Sequence, residues 1–152
     1  MQPFTTLEAV AAPLLRDNID TDAIFPARFI QRLDADYAGA LFANWRFDAE
    51  GAEIGDFVLN RPAYRGAGIL IAGANFGCGS SREHAVWALI ASGIRCVIAP
   101  SFGDIFRGNA YNNGLLPVAL PAEAVRALAE GVERANDKRM RVDLGAQRIE
   151  PP

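Results

Sequence analysis

Apolar residues in this chain gather into short solid runs, and from about residue 66 onward those runs alternate with helical stripes. Residues 68–73 (GILIAG), 95–99 (RCVIA) and 115–120 (LLPVAL) are apolar throughout at strand length, the pattern of strands buried on both faces. Between them, residues 82–91 carry helical spacing that Gly93 stops, and residues 102–112 form a helix that Gly114 ends. Pro121 opens a further helix over 122–134, with Ala124, Val125, Leu128, Ala129 and Val132 on one stripe. Residues 4–15 predict an N-terminal strand broken at Pro13, and residues 140–144 and 148–149 a closing hairpin around Gly145. Residues 18–22 read as a polar turn and 27–33 as a short helix. Residues 34–65 are irregular, a long loop with one short strand near 57–60. Buried strands alternating with helices predict parallel β-α-β units, with antiparallel strands from the two chain ends. The class is α/β with a mixed sheet, a single domain over 1–152.

Composition narrows the chemistry. Hydrophobic residues make up 51% of 152 positions, which excludes a disordered chain. With 15 Lys+Arg against 18 Asp+Glu, the net charge of −3 lacks the basic surplus of a nucleic-acid binder. A membrane span takes ~20 consecutive apolar residues, and the longest apolar run, 85–94, is interrupted by Ser92 and Gly93. Residues 1–12 lack a basic stretch followed by an apolar core, so the expectation is a cytoplasmic protein with reduced thiols. One His and two Cys would all be consumed by a single three-ligand metal site. No metal is therefore expected on this chain.

The chemical signal lies in residues 75–84 (NFGCGSSREH), a glycine-rich turn between a buried strand and a helix. Gly77 and Gly79 allow a sharp turn and close approach of a ligand to the backbone. Ser80 and Glu83 have capping-box spacing, so the plain reading of Ser80 is a helix cap. The chemical reading uses the same helix end to stabilise an anion, either a bound carboxylate or the alkoxide of the serine. Arg82 supplies a planar fork suited to a carboxylate. The phosphate-loop, dinucleotide and hydrolase-elbow patterns all fail: there is no Lys before Ser80, no third glycine and no G-x-S-x-G frame.

Residues 75–89 (NFGCGSSREHAVWAL) resemble the signature of the 3-isopropylmalate dehydratase small-subunit family, which corresponds to the swivel domain of aconitase. Residues 17–29 (DNIDTDAIFPARF) and 99–120 (APSFGDIFRGNAYNNGLLPVAL) match two further motifs of that family in the same order. The resemblance implies an aconitase swivelling-domain-like β/β/α fold, with a mixed, largely parallel sheet flanked by helices. It implies a hydro-lyase of leucine biosynthesis that shifts a hydroxyl between adjacent carbons of isopropylmalate by dehydration and rehydration. Ser80 would be the base that removes a carbon-bound proton, Ser81 and Arg82 would bind the substrate carboxylate, and Asp22, Gly79 and His84 would orient them. No cofactor is expected on this chain: a [4Fe–4S] cluster would sit on a separate large subunit, in a heterodimer or heterotetramer. The substrate would be a small 2-hydroxy dicarboxylic acid, with neither nucleic acid nor membrane as partner.

Aconitase has a substrate-binding arginine downstream of the T-D motif, at a spacing that neither Arg28 nor Arg32 reproduces. That departure favours a substrate whose third arm is apolar, lined by Tyr37, Leu41, Phe42 and Trp45 of the irregular loop, with Arg28 and Arg32 just before it as further candidates for substrate specificity. The early end at Glu150-Pro-Pro152 implies a truncated or a naturally shorter form of the family's chain. Two cysteines are one short of the thiolates an aconitase-type cluster takes, and packing is the expected role of Cys78 and Cys96. His84 is expected to bond neighbouring backbone, and Asp104 to pair with Arg107. The alternatives are a related hydro-lyase subunit (homoaconitase, or alkylmalate/citraconate hydratase) and a non-catalytic anion-binding module.

Overall fold

The apolar runs become neighbouring strands of one sheet in the computed structural model, which describes residues 5–32, 34 and 36–152. β2 (Ile69–Ala72) and β3 (Cys96–Ala99) are buried at every position, as strands covered on both faces must be. β1 (Thr6–Leu14) flanks β2, β4 (Leu116–Ala119) flanks β3, and these four strands run parallel. β5 (Arg139–Asp143) and β6 (Arg148–Glu150) extend the sheet beyond β1 as an antiparallel pair, in the order β4-β3-β2-β1-β5-β6. The mixed, largely parallel sheet is thus as expected. One detail of the chain ends is corrected: β1 is antiparallel only to β5, because the long crossover over 15–68 returns the chain in the same direction into β2.

Three longer helices cover the sheet. α6 (Ala122–Arg134) lays Val125, Ala129 and Val132 against β1, β2 and β3. Its C-terminal carbonyls are collected by one side chain: Lys138 Nζ donates to Val132, Glu133 and Ala135 at 3.1, 2.7 and 3.0 Å. α4 (His84–Ala91) and α5 (Asp104–Asn113) pack on each other, and Gly114 ends α5 in the left-handed region at φ 81°.

The irregular stretch holds more structure than its sequence predicts. α1 (Thr21–Ile24) begins inside the expected polar turn and runs two residues past it, and α2 (Tyr37–Ala40) and α3 (Ala43–Arg46) follow it. The strand expected near 57–60 is a 3₁₀ turn, Val58–Asn60. Phe57 and Val58 are apolar there because they enter the core. Asn60 Nδ2 donates to the carbonyls of Arg46 and Ile54 at 2.8 and 2.9 Å, closing the segment on itself without a sheet partner. Leu41 and Phe42, expected to line a ligand, are instead core residues at 1% and 0% exposure. Phe42 sits at φ 50° with its ring stacked on Trp45 at 5.7 Å and tilted against Phe57 at 5.9 Å. Phe4 and Leu33, at the ends of two expected elements, lie outside the described residues.

Phe42→Ala is expected to lower unfolding free energy by about 3–5 kcal/mol, the usual range for emptying an aromatic site in a core. Urea denaturation checks it; a change under about 1 kcal/mol would show that Phe42 is not packed as described.

Candidate active site

The turn after β2 is held mainly by main-chain bonds, with further bonds to the side chains of Asp17, Asn18 and Ser101. Gly77 N–H donates to Ile19 O at 2.7 Å and Thr21 N–H to Cys78 O at 2.8 Å, which ties the turn to residues 17–21. On its other side Phe76 N–H donates to Ser101 O at 3.0 Å and Gly103 N–H to Phe76 O at 2.9 Å. The three sequence motifs therefore converge on one turn. Asn75, Gly77 and Gly79 adopt positive φ of 60, 79 and 100°. At Gly77 a side chain would run into the ring of Phe106, so the position tolerates nothing larger than hydrogen.

Ser80 follows directly, and the fork of Arg82 turns back onto it: Nε and Nη2 donate to Ser80 Oγ at 3.2 and 3.0 Å. Arg82 Nη1 donates to Phe25 O at 3.3 Å and lies 3.9 Å from Asp22 Oδ1. Asp22 is itself steadied by the Ala27 N–H at 2.8 Å. The buried Thr21 hydroxyl is 3.5 Å from Ser80 Oγ. Two N–H donors from one cation favour the charged form of the oxygen they point at, so the arrangement suits a serine that gives up its proton.

The cap reading of Ser80 is overturned. α4 starts only at His84, with Glu83 at its cap position, and Ser80 Oγ engages the Arg82 side chain and no helix amide. Ser81 is exposed beside it, and Gly79 has room for a side chain but not the φ for one. Asp22, expected to orient, has its Oδ1 3.9 Å from the Arg82 guanidinium. His84 departs from expectation: its Nδ1 is buried without a hydrogen-bond partner, and its ring stacks on Phe25 at 5.4 Å and lies 5.1 Å from Trp87. Tyr37 joins this cluster, stacked on Phe25 at 5.4 Å. Arg28 and Arg32 are exposed, lie over the ring of Phe29, and bond Asn44 and pair with Asp34 respectively. The expected Asp104–Arg107 pair is absent from the described ion pairs; Arg107 lies over the Phe102 ring.

Thr21 and Phe25 were missed by sequence reasoning. Thr21 lies inside the D-T-D motif, which marks it only by position, and Phe25 acts through its carbonyl, which no side-chain pattern announces.

Comparison with known proteins gives the family of the chain. The family model described as the aconitase C-terminal domain matches residues 1–123. The 3-isopropylmalate dehydratase small subunit of Rhodospirillum centenum is 56% identical over all of this chain and 75% of its own length. That of Phenylobacterium zucineum is 55% identical, with the same coverage. The chain belongs to the 3-isopropylmalate dehydratase small-subunit family, among the aconitase C-terminal domains. A solved structure titled 3-isopropylmalate dehydratase, from Methanocaldococcus jannaschii, superposes with a TM-score of 0.66 at 29% identity. It covers 96% of this chain and 80% of that one. The family and the swivel-type α/β fold expected from the motifs therefore hold.

The cysteines of this family member do not compose an iron–sulfur site. Cys96 is sealed in β3, where burial pushes its thiol up to about 12, and Cys78 sits half-buried in the turn.

A thiol reagent at neutral pH is expected to modify Cys78 and spare Cys96 until the chain is unfolded. Unfolding returns the Cys96 thiol toward its ordinary 9.0. Between roughly pH 9 and 12 the unfolded chain then holds fewer protons than the folded one, so stability falls as pH rises through that window. Urea titrations of wild type and Cys96→Ala across pH 8–10 check this; an equal decline in both would show that Cys96 contributes nothing to it.

Proposed function

We propose that this chain is the small subunit of a 3-isopropylmalate dehydratase. It works with a large subunit to interconvert 2-isopropylmalate and 3-isopropylmalate in leucine biosynthesis. The observation that carries the reading is the double donation of Arg82 to Ser80 Oγ at the end of a turn assembled from all three family motifs.

In this reading Ser80, as an alkoxide steadied by Arg82, takes the proton from a substrate carbon, and that proton ends on Ser80 Oγ. The hydroxyl on the neighbouring carbon departs with a proton lent by an acid outside this chain, which recovers it on rehydration, leaving the unsaturated acid and one water. Water returns with the positions exchanged, and Ser80 gives its proton to the other carbon. The substrate carboxylate falls to the exposed Ser81 hydroxyl and to Arg82 Nη1, whose present acceptor is a backbone carbonyl at 3.3 Å. Asp22 orients the guanidinium, Gly79 sets the path of the turn, and His84 holds Phe25 through ring stacking.

Small-subunit membership carries with it a large-subunit partner, and the reading assigns the [4Fe–4S] cluster to that partner in a heterodimer or heterotetramer. No helix among the described residues is long and apolar enough to cross a membrane. The same reading puts the complex in the cytoplasm. Of the loop residues, Arg28, Arg32 and Tyr37 stay candidates for contact with the apolar arm; the burial of Leu41 and Phe42 leaves them a supporting role.

Ser80→Ala, assembled with a cognate large subunit under anaerobic conditions, is expected to lose turnover by roughly a thousandfold, the usual scale of a removed base, while the subunits still co-purify. Turnover within threefold of wild type would remove Ser80 from that role. Homocitrate and citramalate are assayed beside isopropylmalate; faster turnover of either would redirect the reading to a related hydro-lyase. Metal analysis of the purified single chain is expected to find no stoichiometric iron, and a cluster there would overturn the two-subunit division.

A further inference from the structure

Two polar side chains among the described residues are buried, Thr21 at 2% exposure and Asn60 at 4%. Asn60 is accounted for by the carbonyls of Arg46 and Ile54, which its Nδ2 bonds. Thr21 has no such account within its own helix. α1 is capped by the residue before it, since Asp20 Oδ1 accepts the Ala23 N–H at 2.7 Å. The Thr21 hydroxyl has one hydrogen-bond partner among the described residues, Ser80 Oγ, 59 positions along the chain and 3.5 Å away. A hydroxyl taken out of water costs free energy unless it is bonded, and a bond of that length returns little of the cost.

The main chain fixes where this hydroxyl stands. Thr21 N–H donates to Cys78 O at 2.8 Å, and Thr21 O accepts the Phe25 N–H at 2.9 Å. Phe25 O in turn accepts from Arg82 Nη1. Thr21 is thereby tied both to the turn that leads into Ser80 and to the cation beside it. Its Oγ1 also lies 3.4 Å from where a side chain on Gly79 would begin, close against that turn.

The long contact follows from the bonds Ser80 already has. A hydroxyl oxygen offers two acceptor sites, and the Nε and Nη2 donors of Arg82 take both. Loss of the Ser80 proton opens a third, and a hydroxyl donating to a charged oxygen sits closer, at about 2.5–2.7 Å. We propose that Thr21 is a positioning residue for the base: its hydroxyl donates to Ser80 Oγ once Ser80 has given up its proton, as a third donor beside the two from Arg82. The proposal rests on the reading of Ser80 as the base. It explains why a threonine is buried where an apolar residue would pack as well.

The test compares Thr21→Val and Thr21→Ser with wild type, each assembled with a cognate large subunit under anaerobic conditions. Val keeps the branched shape and drops the hydroxyl; Ser keeps the hydroxyl and drops the methyl group. Thr21→Val is expected to lower kcat about tenfold, the scale of one hydrogen bond to a charged oxygen, with KM within threefold of wild type. Thr21→Ser is expected to stay within threefold on both constants. A packing role reverses that order, with Val normal and Ser impaired, and would overturn the proposal. An unchanged kcat in Thr21→Val, or a loss carried by KM, would do the same. Thr21→Val combined with Ser80→Ala is expected to match Ser80→Ala alone within threefold, because Thr21 acts through Ser80; a further tenfold loss would overturn that. Should Thr21→Val fail to fold, Thr21→Ala against Thr21→Ser isolates the same hydroxyl and carries the test. Ser80→Ala separates the two readings. If it keeps turnover, the base reading falls and this proposal with it; if it loses turnover while Thr21→Val keeps it, Thr21 alone is removed.

Discussion

The position of the candidate base depends on a main-chain constraint, the closure of the 73–79 turn between two other segments of the chain. Ile19 and Ser101 offer carbonyls from opposite sides, and Thr21 and Gly103 return amides to Cys78 and Phe76. A backbone bonded on both sides in this way cannot relax to accommodate a side chain, and positive φ at alternate residues shows how tightly it turns. At Gly73 a side chain would strike the carbonyl of Arg16, as at Gly77 it would strike Phe106. Ser80 is thus placed by the backbone that leads to it, ahead of any contact made by its own hydroxyl.

That placement gives the Arg82 fork its meaning. A cation one-fifth exposed and held by a carbonyl and a carboxylate edge is already oriented before any substrate arrives, and such preorganisation is what makes an electrostatic contribution to catalysis large. The ring cluster of Phe25, His84, Tyr37 and Trp87 continues the support outward, since Phe25 presents both the stacked ring and the carbonyl that Arg82 bonds. Packing of the irregular segment and electrostatics of the turn therefore meet in a single residue.

The strands and the long helices were legible because burial on both faces leaves no polar alternation and burial on one side leaves a stripe. β2, β3 and the α6 stripe follow from those two patterns directly. The irregular segment was not legible for the same reason in reverse. Phe42 and Phe57 are apolar to fill the core from short helices and 3₁₀ turns, which have no period long enough to read. The cap reading of Ser80 failed on a different point. Side chains two apart do not meet on a helix, so the Arg82–Ser80 contact has no counterpart in spacing rules; it exists because residues 80–82 precede the helix.

By itself the sequence determined which strands would be buried, where the main helices would stop and that a glycine-rich turn would join β2 to α4. Those features arise from local composition, and local composition is visible in one dimension. Only the tertiary structure decided that three separated motifs share one turn, that Ser80 is bonded by Arg82, and that Leu41 and Phe42 face inward. Each of these is a contact between groups brought together by the crossover and by the turn's main-chain bonds. Hydrogen bonds between distant backbone atoms leave no mark on the side chains that a sequence records.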